Sequence, residues 1–225
     1  MGAQKIYTDK QYDYNLSIEP AKKFIPEWYK KAESHMKDKS IYLQENLTIK
    51  HCMPFLDAYT NGYMILLQGD LLVTKNENGE HLLNWVSDPL ATMRSVQSHQ
   101  GLPMASNHGS QYFSWTISNV IKLPKNYSML ITHPLNRFDL PFTTLSGIID
   151  EAASTGAISF FVNKNFEGVI PKGTPIAQII PFKQDNWEKV EQKGLYQELE
   201  SEAKSFRTVL SGGYKKLRWT RKNYN

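Results

Sequence analysis

The stretch from Leu123 to Phe182 constrains the fold of this 225-residue chain more than any other part of the sequence. It contains two short motifs, GIID at Gly147–Asp150 and KGTPIAQII at Lys172–Ile180, whose spacing suggests a specific all-β architecture. Segments of strand length surround the motifs, and turns rich in Pro, Gly and Asn separate them. These predicted strands are Ser128–Thr132, Ile158–Val162 and Ile176–Pro181. The stretch says much about the fold and little about a reaction.

Strand signals also precede this stretch. Apolar and polar residues alternate from Leu47 to Lys50, as in a half-buried strand, and the turn Asn76–Glu80 carries the strongest hairpin signal, Asn-Gly. The other predicted strands are Gly62–Leu67, Asp70–Thr74, His81–Val86 and Tyr112–Leu123. The segment Ser87–Ser110 shows no clear period and is predicted to be a long irregular excursion, a kind of segment that is often functional.

Helical patterns flank the predicted β core. Pro26 suits the first turn of a helix within Glu19–Lys37, and apolar residues recur near helical spacing over Asn186–Ser205. We therefore expect three parts: an N-terminal arm and helix over residues 1–45, a β core over 46–184, and a C-terminal helix with a basic tail over 185–225.

The composition is that of a soluble chain with a packed core. Hydrophobic residues make up 40% of the sequence and charged residues 21%. No apolar run approaches the roughly 20 residues of a membrane helix, and the N-terminus lacks the apolar segment of a secretory signal. A single cysteine, Cys52, excludes an internal disulfide, and its apolar neighbours predict a buried, unreactive thiol. We expect an intracellular protein with no membrane partner.

Positive charge is concentrated at the C-terminal end. The formal net charge is +4, while residues 215–225 carry five Lys and Arg and no acid. The tail 214–225 also holds Tyr214, Trp219 and Tyr224, and aromatic side chains among cations can stack on nucleic-acid bases. Three interpretations stay open for this tail: a solvated extension, a contact with a neighbouring subunit or partner, and a nucleic-acid contact, which is the least favoured.

The central motifs, in this order, resemble those of the dUTPase and dCTP-deaminase superfamily, which has the β-clip fold. The resemblance covers roughly residues 48–183. The matching residues are Gly147, Ile149 and Asp150 in the turn, Gly156 after it, and Gly173, Ile176, Ala177 and Gln178 in the last strand. The resemblance implies a β-clip (dUTPase-like) barrel or sandwich and a homotrimer whose last strands lie around a three-fold axis.

The positions that carry chemistry in that superfamily differ here. In dUTPases an aromatic residue after the Asp stacks on uracil, whereas residues 151–155 of this chain contain none. The segment Pro134–Arg137 replaces their phosphate-contacting loop, and Met64 stands where an early Asp helps to hold magnesium. These differences predict a protein without dUTPase activity, and a divergent nucleotide hydrolase stays open as an alternative.

Three segments look like those of a group of uncharacterised proteins encoded by tailed phages: Phe24–Lys31, Thr132–Phe142 and Ile170–Lys183. This second resemblance spans nearly the whole chain. It implies a viral protein that is made in the cytoplasm of a bacterial host, with the virion as the other location.

Five residues of the central stretch are predicted to bind a ligand, namely His133, Asn136, Arg137, Asp150 and Gln178. The carboxylate of Asp150 suits a water or a sugar hydroxyl, or else it caps its own turn. The guanidinium of Arg137 suits phosphate or carboxylate, or else it forms a structural ion pair with Asp139 or Asp150. Gln178 is expected either at a ligand or in the buried core of an oligomer.

We therefore expect a homo-oligomer, with a trimer favoured, that binds a small anionic ligand such as a nucleotide between subunits without turning it over. The histidines lack the spacing of a zinc site, so we predict no metal and no cofactor, with Mg²⁺ only alongside a bound nucleotide. The alternative is a virion or assembly protein in which the same oligomer is a structural building block.

Overall fold

The computed structural model describes residues 4–36, 47–94, 99–103, 107–153, 157–208 and 213–225. Within these ranges it is mainly β, as predicted, with fifteen strands in four antiparallel sheets. The strands are β1 Tyr7–Lys10, β2 Glu19–Pro20, β3 Tyr63–Leu66, β4 Leu71–Lys75, β5 His81–Asn84, β6 Ala91–Met93, β7 Phe113–Thr116, β8 Asn119–Lys122, β9 Tyr127–Thr132, β10 Phe142–Thr144, β11 Gly147–Asp150, β12 Ala152–Ala153, β13 Ala157–Val162, β14 Gly168–Ile170 and β15 Pro175–Lys183.

The helices are short except for one near the C-terminus. They are α1 Glu27–Lys31, α2 Met53–Thr60, α3 Leu195–Thr208 and α4 Gly213–Leu217, with 3-10 turns at Ala21–Phe24 and Ile49–His51. Of the helices that the structure describes, none combines the length and the apolar character needed to cross a bilayer.

The largest sheet, in the order β11-β9-β15-β3-β2, holds the predicted site residues on its strands or just after them. The nine-residue strand β15 lies at its centre, where Ile179 pairs with Ile131 of β9 and with Tyr63 of β3. Ile179, Ile131 and Met129 all point into the hydrophobic core, so the alternate residues of these strands face the other way.

The second-largest sheet, in the order β10-β13-β7-β6, supplies the aromatic centre of the core. The rings of Trp115 and Phe160 stack with their centroids 3.5 Å apart, and both residues are fully buried. The indole N–H of Trp115 donates to the hydroxyl oxygen of Thr144 at 3.0 Å, so its one polar atom is satisfied inside the core.

A corner at Glu151 joins two sheets. The strand β11 belongs to the largest sheet, whereas β12, which follows it at once, pairs with β8 in the sheet β1-β8-β12. Glu151 adopts the left-handed conformation with φ of 53°. Its N–H donates to the carbonyl of Tyr127 at 3.0 Å, and its carbonyl accepts from the N–H of Leu123 at 2.7 Å. These two bonds hold the corner in place.

The N-terminal part contains less helix than the sequence pattern predicts. The segment Glu19–Lys37 was expected to be helical, but its described residues form β2, a 3-10 turn and the five-residue α1. Pro26 causes the break, because Ile25 before it is extended, with φ of −58° and ψ of 126°. The strand predicted at Leu47–Lys50 does not form: Leu47 makes only an isolated bridge with His35, and a 3-10 turn occupies Ile49–His51. The hydroxyl oxygen of Thr48 caps that turn by accepting from the N–H of Lys50.

One predicted turn forms as expected, and a glycine shifts the start of the C-terminal helix. The Asn76–Glu80 hairpin joins β4 to β5, with Gly79 at φ of 77°. The C-terminal helix begins at Leu195 rather than at Asn186, because Gly194 before it has φ of 87° and cannot continue a right-handed helix.

The C-terminal tail folds back onto the body of the same chain. The indole N–H of Trp219 and the ammonium of Lys222 donate to the carboxylate of Asp57 in α2. The ring of Tyr224 meets Tyr63 of β3 edge-on, with centroids 5.6 Å apart. The described part of the tail therefore makes its contacts within the chain, while its binding to nucleic acid or to another subunit stays a prediction.

Candidate functional site

The outward face of the largest sheet combines an apolar row with an exposed carboxylate. Across three neighbouring strands, Leu130 of β9 pairs with Ile148 of β11 and with Ile180 of β15. Paired residues share one face of a sheet, and the residues that alternate with these point into the core. The side chain of Ile148 is 65% exposed, so part of this face has no covering layer in the described chain.

Asp150 lies at the end of this face, one row beyond the apolar residues. It pairs with Ser128 of β9, which in turn pairs with Phe182 of β15. The hydroxyl of Ser128 donates to Asp150 Oδ1 at 2.6 Å, and the amide of Gln184 donates to the same oxygen at 3.1 Å. That amide also donates to Ser128 Oγ at 2.9 Å. Two neighbouring side chains thus fix the orientation of an exposed carboxylate.

Gln178 lies at the opposite end of the sheet and is fully buried within its own subunit. Its Oε1 accepts from the N–H of Leu135 at 2.9 Å. Its Nε2 donates to the carbonyls of Ala58 at 3.0 Å and Asn61 at 2.6 Å. Gln178 therefore ties the loop after β9 to the end of helix α2, and both ends of its amide are occupied inside the chain.

Arg137 forms an ion pair with Asp139 of the same chain, which is the structural role that the sequence left open beside ligand binding. Its Nε and Nη2 donate to the two carboxylate oxygens of Asp139, each at 2.8 Å, and its Nη1 donates to the carbonyl of Phe24 at 3.3 Å. The hydrogen bonds from Arg137 hold the pKa of Asp139 below its ordinary value, against the opposing effect of burial. The guanidinium side chain is only 13% exposed.

His133 and Asn136 complete this second group of predicted residues. His133 Nε2 lies 3.1 Å from the carbonyl of Arg137, and its Nδ1 accepts from the N–H of Thr144 at 3.4 Å. Burial lowers the pKa of His133, so the ring is neutral around pH 7. Asn136 has φ of 57°, and its carbonyl accepts from the hydroxyl of Tyr59.

The structure therefore brings four of the five predicted residues together and leaves Asp150 apart. Asp150 stands opposite Ser128 at one end of β9, whereas His133 follows Thr132 at the other end. Five residues of extended strand separate the two ends by about 17 Å. Asp150 and the other four residues therefore lie at opposite ends of β9 within one chain.

Sequence reasoning missed Ser128 and Gln184, the two side chains that orient Asp150. Ser128 was detectable as the polar residue that directly precedes the apolar run Met129–Ile131 of its strand. Gln184 had no local signal, because its contact with Asp150 spans 34 positions and depends on the sheet register.

Within the described ranges, no group of three or more His, Cys, Asp or Glu side chains is placed to hold a metal ion. Two of the histidines have other partners: His108 Nε2 lies 3.3 Å from the hydroxyl of Thr143, and His81 Nε2 lies 3.2 Å from the carbonyl of Phe166. Burial lowers the pKa of both rings.

Comparisons with known proteins reveal a likeness in structure but none in sequence. No family model matches the chain, and no curated protein matches it. Among solved structures, the chain is similar to a point mutant of the dUTPase of Staphylococcus bacteriophage 80alpha, with a TM-score of 0.39 and 10% sequence identity. The likeness covers 85% of this chain and 97% of the dUTPase. With so low a TM-score and identity, nothing about activity is inferred from this likeness. The assignment of the chain to the mainly-β class rests on its observed strands.

Proposed function

We propose that the outward sheet face around Asp150 binds a small anionic ligand that carries hydroxyl groups, such as a nucleotide, and that the protein does so as a homo-oligomer without turnover. The observation that carries the proposal is the Asp150–Ser128–Gln184 network on an otherwise apolar, partly uncovered face. The oligomer we favour is a trimer, and the setting we favour is the cytoplasm of a phage-infected bacterium.

The orientation of Asp150 supports recognition of a hydroxyl group. An ionised carboxylate has room for about four hydrogen bonds, and the network occupies two acceptor positions, both on Oδ1. The exposed residue therefore keeps accepting capacity towards solvent, where a sugar hydroxyl is a suitable donor. Because two neighbours already fix its rotamer, a ligand loses little free energy in ordering it.

The apolar row beside Asp150 supports contact with a ring. Ile148 is 65% and Phe182 38% exposed, and both lie within two residues of the network along their strands. Burial of about 100 Å² of apolar surface contributes roughly 2.5 kcal/mol at 25 cal/mol per Å². A ligand with a planar or apolar part and a hydroxyl group matches this arrangement better than a simple inorganic anion does.

Lysines near the same end of the sheet support a negative charge on the ligand. Lys122 pairs with Ala152 just after the corner, and Lys125 lies in the turn between β8 and β9. Both are exposed, and neither forms an ion pair with another described residue. They supply cations that a phosphate group can meet.

One feature of the sheet supports a second copy in the proposal. Among the described strands, β11 pairs with β9 alone, so its outer edge is open to another chain.

A thermal-shift screen with deoxynucleotides, cyclic nucleotides and nucleoside monophosphates, with and without Mg²⁺, tests the proposal. A ligand at a hundred times its Kd stabilises the folded state by about 2.7 kcal/mol, which raises the Tm of a chain of this size by roughly 5–10 °C. We expect Asp150→Asn to remove most of that shift. The matched control Asp13→Asn changes an exposed aspartate outside the site and should keep it.

The exposed C-terminal segment favours a second candidate function, a virion or assembly component. Trp187 is 92% and Tyr196 73% exposed in the single chain, as expected of side chains that contact another protein. No shift with any nucleotide, together with recovery of the protein from purified particles, would favour this function over ligand binding. Release of pyrophosphate from any dNTP, lost in Asp150→Asn, would instead establish a divergent hydrolase.

A further inference from the structure

The segment Asp185–Leu199, here called the arm, leaves the body of the protein after β15. The N–H of Gln184 donates to the carbonyl of Asn126 at 2.9 Å, which anchors the point of departure. Every residue of the arm is exposed. Trp187, at 92% exposure, has nearly its whole indole in water, which is unusual for the largest apolar side chain of a soluble protein.

An apolar groove lies elsewhere on the same chain. It encloses about 650 Å³ between the Phe138–Pro141 segment, the turn after β13 and strand β14. Phe138 at 88% exposure and Val169 at 54% exposure stand at the groove, and Phe166 and Ile170 line it further. A groove of this size has room for an indole ring.

The groove is out of reach for Trp187 of the same chain. Thr174, which precedes β15, lines the groove, whereas the arm begins after the far end of that strand. Nine residues of extended strand span about 30 Å, even before the arm begins. Trp187 follows Gln184 by three residues, which allow at most about 11 Å of travel.

Charge also matches between the arm and the groove. Residues 185–191 carry three acids and one lysine, so this part of the arm is negative. The groove is lined by Lys164, which forms no ion pair with another described residue, while the carboxylate of Asp139 beside it is neutralised by Arg137. The groove is therefore the more positive of the two surfaces.

From the reach, the apolar content and the charge, we infer that Trp187 of one copy inserts into the groove of a second copy. The contact joins two different surfaces, so it is heterologous and generates a ring when the rotation between copies closes. A closed ring leaves every Trp187 buried and every groove filled. This interface is separate from the ligand face around Asp150, so either can fail without the other.

The mass of the full chain in solution, measured by light scattering with chromatography, tests the inference. We expect an oligomer that Trp187→Ala weakens by at least about thirtyfold, the loss typical of a central aromatic at an interface. Val169→Glu, which places a charge in the groove, should have a similar effect. Val86→Glu is the matched control, because Val86 is fully exposed and belongs to neither the arm nor the groove. This variant should leave the oligomer unchanged.

A cross-linking experiment identifies the contact itself. In a Cys52→Ser background, Trp187→Cys combined with Val169→Cys should form disulfides between copies under mild oxidation, because the two positions of one chain lie too far apart to bridge. Trp187→Cys with Val86→Cys should form far fewer. A monomeric wild-type chain, an oligomer insensitive to Trp187→Ala, or equal cross-linking in the control pair would each overturn the inference.

Discussion

Replacement of Gln178 by leucine tests whether this residue is structural, as its contacts indicate. Leucine has a similar volume, so the cavity that forms is small. The change removes the hydrogen bonds that Gln178 makes to three half-buried backbone groups: the N–H of Leu135 and the carbonyls of Ala58 and Asn61. Each unsatisfied group costs about 1–3 kcal/mol, and carbonyls tolerate a missing bond better than N–H groups do. We expect Gln178→Leu to lower the free energy of unfolding by about 3–6 kcal/mol.

Urea denaturation followed by circular dichroism measures this loss directly. For a chain of this size the same loss lowers the Tm by roughly 6–24 °C, so a thermal melt gives a second reading. Gln100→Leu, at an exposed position, is the matched control and should change stability by less than about 0.5 kcal/mol. A loss below about 1 kcal/mol in Gln178→Leu would show that the amide contacts do not fix the loop. A loss of ligand binding without a loss of stability would show instead that Gln178 binds the ligand.

Three further predictions concern the backbone and the pH dependence of stability. Gly62→Ala should cost at least about 2 kcal/mol in chemical denaturation, because Gly62 has φ of 74° and an added Cβ would meet the carbonyl oxygen of Ile179 at 1.9 Å; a near-neutral result would contradict this packing. Arg137 lowers the pKa of Asp139, so the stabilisation by this carboxylate is complete above its ordinary pKa of 3.8 and is lost as the pH falls through the lower folded value. Arg137→Gln should therefore make the loss of stability at acid pH less steep when the urea midpoint is measured against pH. An unchanged acid dependence would refute the coupling of the two residues. Burial lowers the pKa of His133 below 6.5, so its contribution to stability should be full above that pH and fall as the pH drops from 7 towards 5. His133→Phe should make this fall in the urea midpoint shallower. A urea midpoint that rises on acidification would exclude a buried neutral ring.

Much of the β core was predictable because its signals are local. The hairpin at Asn76–Glu80 and the strands on either side of it follow from Asn-Gly chemistry and period-two alternation. Helix α2, Met53–Thr60, was not predicted, because its apolar residues do not form a clean helical stripe and a strand pattern precedes it. Pro54 in its first turn and the N-terminal position of Pro26 in α1 are the signals that mark where these helices start.

The candidate site was predictable only in part, for a physical reason. Asp150 stands out by its motif, and Arg137 by its residue type, but neither signal says which residues meet in space. Sheet register brings Ser128 and Gln184 to Asp150 and places the loop of Arg137 at the far end of β9. Register depends on long-range pairing, so it is not contained in any local pattern.

The corner at Glu151 has a mechanical consequence for the sheet that follows it, β1-β8-β12. Because Asp150, Glu151 and Ala152 are consecutive, a force on the carboxylate passes through a single residue, Glu151, from β11 to β12. From β12 it reaches β8, and from β8 the strand β1 of the N-terminal arm. Two rigid bonds clamp the pivot, so it cannot absorb the movement as a flexible hinge would. A continuous path of backbone and strand pairing thus links β1 to the carboxylate, although about 140 positions of sequence separate them.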